Sequence, residues 1–133
     1  MNSRIDIVVR STEIDVNGHV NNAKYAEYLE WGREAWYDQA GLFYNVLRDL
    51  GVYTVVVNLQ MNFMRECIQG DRLWITCKPS SIGRTSYVFD QEITNQNHVR
   101  CMESRVTCVT VSVKTRKSCE VPYELAHLFT KQA

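Results

Sequence analysis

The chain of 133 residues carries no net charge: fifteen Lys and Arg are matched by fifteen Asp and Glu. A balanced surface sets up no global field for nucleic acid or an anionic membrane, so any anionic ligand has to be met by local groups. No apolar run approaches the ~18 residues of a membrane span, and the opening "MNSRIDIVVRS" lacks the apolar segment of a signal peptide. The five cysteines, Cys67, Cys77, Cys101, Cys108 and Cys119, form an odd set with no C-x-x-C pair. That speaks against a metal site and against a disulfide framework, and for a reduced, cytoplasmic protein without cofactor. Repeats, low-complexity tracts and linkers are missing too. One domain over residues 1–133 is expected, large enough to bury roughly two-thirds of the surface its unfolded chain exposes.

What is present is an ordered change of periodicity. "RIDIVVRS" sets Ile5, Ile7 and Val9 on one face of a strand. From Asn22 the pattern becomes helical: Tyr25, Leu29, Gly32, Trp36 and Ala40 form one stripe along about five turns. Asn21 or Asn22 is the natural N-cap and Gly41 the natural stop. Gly32 within the stripe costs about 1 kcal/mol against Ala, which implies a close approach to whatever the helix packs on. "FYNVLRDLG" reads as a short second helix. Four strand-like stretches follow, "VYTVVVNLQMNFMR", "RLWITCKP", "SYVFDQEIT" and "VRCMESRVTCVTVSVK", and short turns between them favour an antiparallel meander. Pro122 at a first helical position opens a terminal helix, "PYELAHLF". This is an α+β plan in which one long helix buries its stripe against one curved sheet. Such a sheet leaves its edges free, so pairing with further copies into a homodimer or a dimer of dimers is expected.

The most concentrated polar stretch lies just before the long helix. "DVNGHVNN", residues 15–22, gathers an aspartate, a histidine, three asparagines and a glycine. Asp-Val-Asn-Gly is a good turn in its own right, because Asp and Asn bond their own backbone and Gly accepts positive φ. The order strand, "D-V-N-G-H-V-N-N-x-x-Y", long helix, strands also resembles the hotdog fold. The motif is similar to that of the acyl-CoA thioesterases of the 4-hydroxybenzoyl-CoA thioesterase family, closest to the branch with long-chain acyl-CoA and plant acyl-ACP thioesterases. "MNFMRECIQGDRLWI", "SIGRTSYVFDQEI" and "VPYELAHLF" extend the resemblance over nearly the whole chain.

The resemblance implies an antiparallel sheet of about five strands wrapped around one long central helix, and hydrolysis of an acyl-CoA or acyl-ACP thioester. A thioester carbonyl is already electrophilic, so the reaction needs a group that attacks or activates water, and donors for the oxyanion. A helix start offers unpaired N–H groups at the positive end of its dipole, and a carboxylate just upstream can act as base or nucleophile. By resemblance Asp15 is the catalytic carboxylate, the Asn22 N–H polarises the carbonyl, and Asn17 and His19 work with Asp15. Tyr25 is a core residue or lines the acyl tunnel. Gly83 and Ser86 are expected to reach the site from a partner subunit, and Arg84, with Lys114 and Lys117, to meet coenzyme A phosphates. His98 and His127 are read as structural or solvated, and Glu66 as the first alternative carboxylate. Two rival functions have different marks. Hotdog hydratases carry Asp-x-Asn-Pro-x-His, whereas here His19 follows Asp15 by four and proline is absent; a non-catalytic acyl-CoA-binding sensor would need a DNA-binding segment, and no additional domain or basic helix is expected here.

Overall fold

The computed structural model describes residues 1–129, so residues 130–133 of the expected domain lie outside it. Five strands, β1 (Ser3–Val8), β2 (Val52–Phe63), β3 (Arg72–Ile82), β4 (Ser86–Thr94) and β5 (Arg100–Ser112), form one antiparallel sheet in the order β1-β3-β4-β5-β2. Against it lies α1 (Asn22–Gln39), with the short helices α2 (Tyr44–Asp49) and α3 (Tyr123–Ala126) flanking. This is the hotdog fold. No helix among the described residues is long and apolar enough to cross a membrane.

One expectation is corrected. The last four strands are not a single meander, because only β3, β4 and β5 follow one another in space. β2 is an edge strand beside β5, and β1 takes the place next to β3. The connection 64–71 is too long for a tight hairpin: its first two amides, those of Met64 and Arg65, donate to the Cys101 carbonyl at 2.9 and 3.2 Å and keep the chain on β5 before it crosses. Alternation along β2 looks the same whichever strand lies beside it, so the partner is set by this crossing. Pro122 stands one place before the first helical residue of α3, and that helix is a single turn.

The helix stripe buries as its spacing requires. Tyr25, Leu29, Gly32 and Trp36 are all covered, while Ala40 is the half-buried C-cap and Gly41, at φ +73, ends the helix. The core divides into two apolar clusters, one around Tyr25, Tyr28 and Leu29 on the first half of α1, the other around Trp36, Tyr87, Phe89 and Phe129 on the second half. A buried polar group separates them: Arg33 donates to Gln91 Oε1 at 3.1 Å, and Gln91 Nε2 donates to the Leu29 carbonyl at 2.9 Å. Gln91 thereby ties β4 to the middle of the helix and fixes where the N-terminus of α1 sits over the sheet.

Candidate active site

The polar corner before α1 is a miniature hairpin. Ile14 and Val20 bridge; within them the Asp15 amide donates to the His19 carbonyl at 3.0 Å and the Gly18 amide to the Asp15 carbonyl at 3.1 Å. Gly18 has φ +82, a value that glycine reaches without the steric cost of a Cβ. Asp15 Oδ1 accepts the Asn17 N–H at 2.9 Å, the Asx turn that this sequence favours. Asp15 and His19 therefore face each other across the turn, both half-buried, with Asn17 exposed between them. His19 Nδ1 donates to the Val20 carbonyl at 3.3 Å, which leaves Nε2 as the acceptor nitrogen of the neutral ring.

Four hydrogen bonds hold this corner. The Val20 amide donates to the Cys67 carbonyl at 2.8 Å and the Asn21 amide to the Glu13 carbonyl at 2.9 Å. Glu13, only 8% exposed, accepts both the Arg10 amide at 2.9 Å and the Tyr28 hydroxyl at 2.7 Å. This carboxylate is a support of the site that its sequence position did not reveal.

At the helix start the donors are divided unequally. Asn21 is the N-cap: its side chain accepts the Ala23 N–H at 2.9 Å, and its carbonyl accepts the Lys24 N–H at 2.9 Å. The Asn22 N–H has no partner among the described residues. Asn22 lines a cleft of about 190 Å³ together with His19, Tyr25, Phe63, Met64, Arg65 and Glu66. Tyr25 is 3% exposed, accepts the Cys67 amide at 3.2 Å and meets Phe63 edge-on at 5.3 Å between centroids. Burial, then the hydrogen bond with Cys67, raises its phenol well above the usual range, so its oxygen stays protonated and neutral. Burial likewise pushes the neighbouring Cys67 thiol up to about 12.

Of the residues singled out in the sequence, the structure thus brings together Asp15, Asn17, His19, Asn22 and Tyr25 on one corner, with His19, Asn22 and Tyr25 lining the cleft itself. Gly83, Arg84 and Ser86 are elsewhere. Ser86 pairs with Val109, and its neighbour Tyr87 belongs to the cluster around Trp36, on the far half of the helix. The Gly83 amide donates to the Ser86 carbonyl at 2.7 Å, and a Cβ on Gly83 would crowd Ser86 Oγ at 3.1 Å. Within one chain these residues do not meet Asn22. Nothing in "MNFMRECIQGD" places residues 63–66 beside Asn22; the one local signal is a charged pair, Arg65-Glu66, between an exposed strand end and the buried Cys67.

Residues 9–129 match the thioesterase-like superfamily. The chain belongs to that family. It is 31% identical over 120 residues, 90% of each chain, to the long-chain acyl-CoA thioesterase FadM of Escherichia coli. It is 29% identical over 128 residues to a chloroplastic acyl-acyl carrier protein thioesterase, ATL2, of Arabidopsis thaliana, covering 94% of this chain and 66% of that one. Among solved structures, the 1,4-dihydroxy-2-naphthoyl-CoA thioesterase Slr0204 of Synechocystis superposes with a TM-score of 0.88 at 16% identity, over 97% of this chain and 96% of that one, a likeness of fold. Family membership makes the protein a thioester hydrolase in reaction class, and the corner at Asn22 is the candidate site for that reaction.

Proposed function

We propose that the protein hydrolyses an acyl-CoA or acyl-ACP thioester to free acid and thiol at the corner between Asp15 and Asn22. The observation that carries this reading is the unpartnered N–H of Asn22 at the first turn of an 18-residue helix, on a residue that lines a cleft with His19 and Tyr25. A carbonyl oxygen placed on that N–H gains charge as the tetrahedral intermediate forms, and a fixed donor aimed at it contributes on the order of 10²–10³ in rate. Asp15, as base or nucleophile, provides the second requirement, with Asn17 and His19 orienting it across the turn. Thiolate is a good leaving group, so no metal or cofactor enters the scheme. The relatives named for long-chain acyl-CoA and for acyl carrier protein support an acyl thioester substrate, and the apolar Tyr25, Phe63 and Met64 suit an acyl chain.

The working unit in this reading is a homodimer or a dimer of dimers. β2 is an edge strand with Val55, Val56 and Val57 exposed, an apolar run that water-exposed edges avoid. Pairing with a second copy would cover it, and it supplies a route by which Gly83, Arg84 and Ser86 of one copy reach the Asn22 corner of another. Light scattering is expected to show no stable monomer at micromolar concentration. The five free cysteines fit a reducing cytoplasm.

The test of the reaction is a panel of butyryl-, decanoyl-, palmitoyl- and benzoyl-CoA, with free acid and thiol quantified by chromatography. Equimolar release of both is expected from at least one thioester. Binding without cleavage of any would favour an acyl-CoA-binding protein, and water addition to an enoyl-CoA without thiol release would favour a hydratase.

A further inference from the structure

One charge in the core has no counter-charge. Arg33 is 9% exposed, and among the described residues its guanidinium makes no ion pair; its one hydrogen bond goes to the neutral Gln91 Oε1 at 3.1 Å. Buried charges are ordinarily paired, because taking them out of water is costly. The thiols that feel its charge, Cys77 and Cys108, are raised by burial more than Arg33 lowers them, and so stay neutral. A second polar group close by is also short of a partner. Ser104 of β5 pairs with Gln91 of β4 on one side and with Met61 of β2 on the other. It alternates with the core residues Met102 and Val106, is 7% exposed, and its hydroxyl is buried without a hydrogen bond. A cation and a hydroxyl, both about nine-tenths buried and both lacking acceptors, thus stand on either side of Gln91.

Both groups lie on the way along α1 and β2 from the cleft. Arg33 follows Asn22 by about three helical turns, so the two share one side of α1. On β2, Phe63 lines the cleft, and Met61, two residues along on the same face, is the neighbour of Ser104. Phe63 is exposed and Met61 and Leu59 are half-buried, an apolar strip that leads from Asn22 towards the unpaired donors. We propose that Arg33 and Ser104 form a carboxylate subsite at the far end of the acyl site, and that the preferred substrates are thioesters of dicarboxylic acids, held by the free carboxylate at the ω end. The proposal rests on the thioesterase reading and names its substrate class. A guanidinium presents its N–H groups as a fork that matches a carboxylate, Ser104 adds a hydroxyl, and Phe63, Met61 and Leu59 meet the methylenes. Gln91, bonded to the Leu29 carbonyl and to Arg33, keeps the guanidinium level with the stretch between those two residues. At ~1.5 Å per residue that stretch is ~10–16 Å from Asn22, the length of an extended acyl chain of roughly eight to twelve carbons. A plain acyl chain of that length ends against an uncompensated cation.

Initial rates with the mono-CoA thioesters of hexanedioic, decanedioic and hexadecanedioic acid, each against the plain acyl-CoA of equal length, test this. Expected is a kcat/KM for decanedioyl-CoA on the order of tenfold or more above that for decanoyl-CoA, the weight of hydrogen bonds to a charged group. The preference should vanish for the hexanedioyl and hexadecanedioyl pairs, whose lengths do not match the span. In Ser104→Ala the decanedioyl preference should fall severalfold, and the protein should melt no lower than wild type, because the hydroxyl removed has no partner. Arg33→Gln should abolish the preference and Arg33→Lys keep part of it; if neither folds, the wild-type and Ser104→Ala ratios decide. A wild type that cleaves decanoyl-CoA as well as decanedioyl-CoA, or that prefers the dicarboxylic thioester equally at every length, overturns the proposal while thioester hydrolysis stands. So does a preference that Ser104→Ala leaves unchanged. If neither series is cleaved, the thioesterase reading falls and this proposal with it.

Discussion

Gly32 of α1 lies against Ile75 of β3 so closely that a Cβ on Gly32 would stand 2.8 Å from Ile75 Cγ2. The same atom would be 2.9 Å from Gln91 Nε2, the amide that bonds the Leu29 carbonyl. Gly32→Ala sets two effects against each other. Helix propensity gains about 1 kcal/mol, whereas an extra methyl in a filled interior costs about 1–3 kcal/mol. Packing is expected to win, because the obstacles are a β-branched side chain on a central strand and a bonded amide. A lower urea midpoint is the expected outcome; an unchanged or higher one would mean that α1 rides farther from the sheet.

Tyr28→Phe removes the hydroxyl that reaches Glu13 at 2.7 Å. The carboxylate is 8% exposed and keeps the Arg10 amide as a donor, so it is left under-solvated without losing every partner. A hydrogen bond to a charged group contributes about 1.5–3 kcal/mol, and a stability loss in that range is expected from denaturant unfolding. Because the Glu13 carbonyl holds the Asn21 amide, activity is expected to fall as well, through a displaced helix start, with KM and kcat both affected.

How far the sequence could be read follows from where each signal resides. The stripe of α1 was legible because Tyr25, Leu29, Gly32 and Trp36 recur at helical spacing and nothing else buries such a pattern. The cap was legible only to within one residue, since Asn21 and Asn22 are both cap formers; extended backbone at Asn21, φ −63 and ψ 140, decides it. The place of β2 in the sheet was not legible, because alternation names a face and not a neighbour. The supporting role of Glu13 was not legible, because its partner, Tyr28, is fifteen residues on. For the same reason the place of Phe63, Met64, Arg65 and Glu66 beside Asn22 was not legible, since it depends on the long-range bonds of Cys67 and Cys101. The Asp15 turn was legible because its chemistry is local.

Alkaline pH should unfold the protein early. Burial pushes Cys67 from its ordinary 9.0 up to about 12, and burial is the leading cause that also raises Tyr25, Tyr28, Cys77, Cys101 and Cys108. The unfolded chain loses these protons while the folded chain keeps them. Their contribution is therefore fully present below pH 9 and is lost as pH rises through the folded values. Thermal melts followed by circular dichroism should show Tm falling steadily between pH 9 and 11, with a shallower fall in Cys67→Ala. A flat profile over that window would mean that these groups ionise in the folded protein.

Asp15→Asn keeps the size and the turn-forming ability of the side chain, since the amide oxygen of Asn can still accept the Asn17 N–H. The fold is expected to survive with little change in Tm, because the bonds of the corner on either side, from Asp15 to His19 and from Val20 to Cys67, are made by main chain. What is lost is the charge. General-base catalysis contributes on the order of 10²–10⁴ in rate, and a missing nucleophile costs more, so kcat for the best acyl-CoA should fall at least about a hundredfold. KM should change far less, because the groups that line the cleft remain. His19→Ala should cost less than Asp15→Asn, as the ring orients across the turn and does not attack. If Asp15→Asn stays folded and cleaves acyl-CoA at near wild-type rates, Asp15 is a turn residue only. The whole reaction then needs Glu66 or another carboxylate.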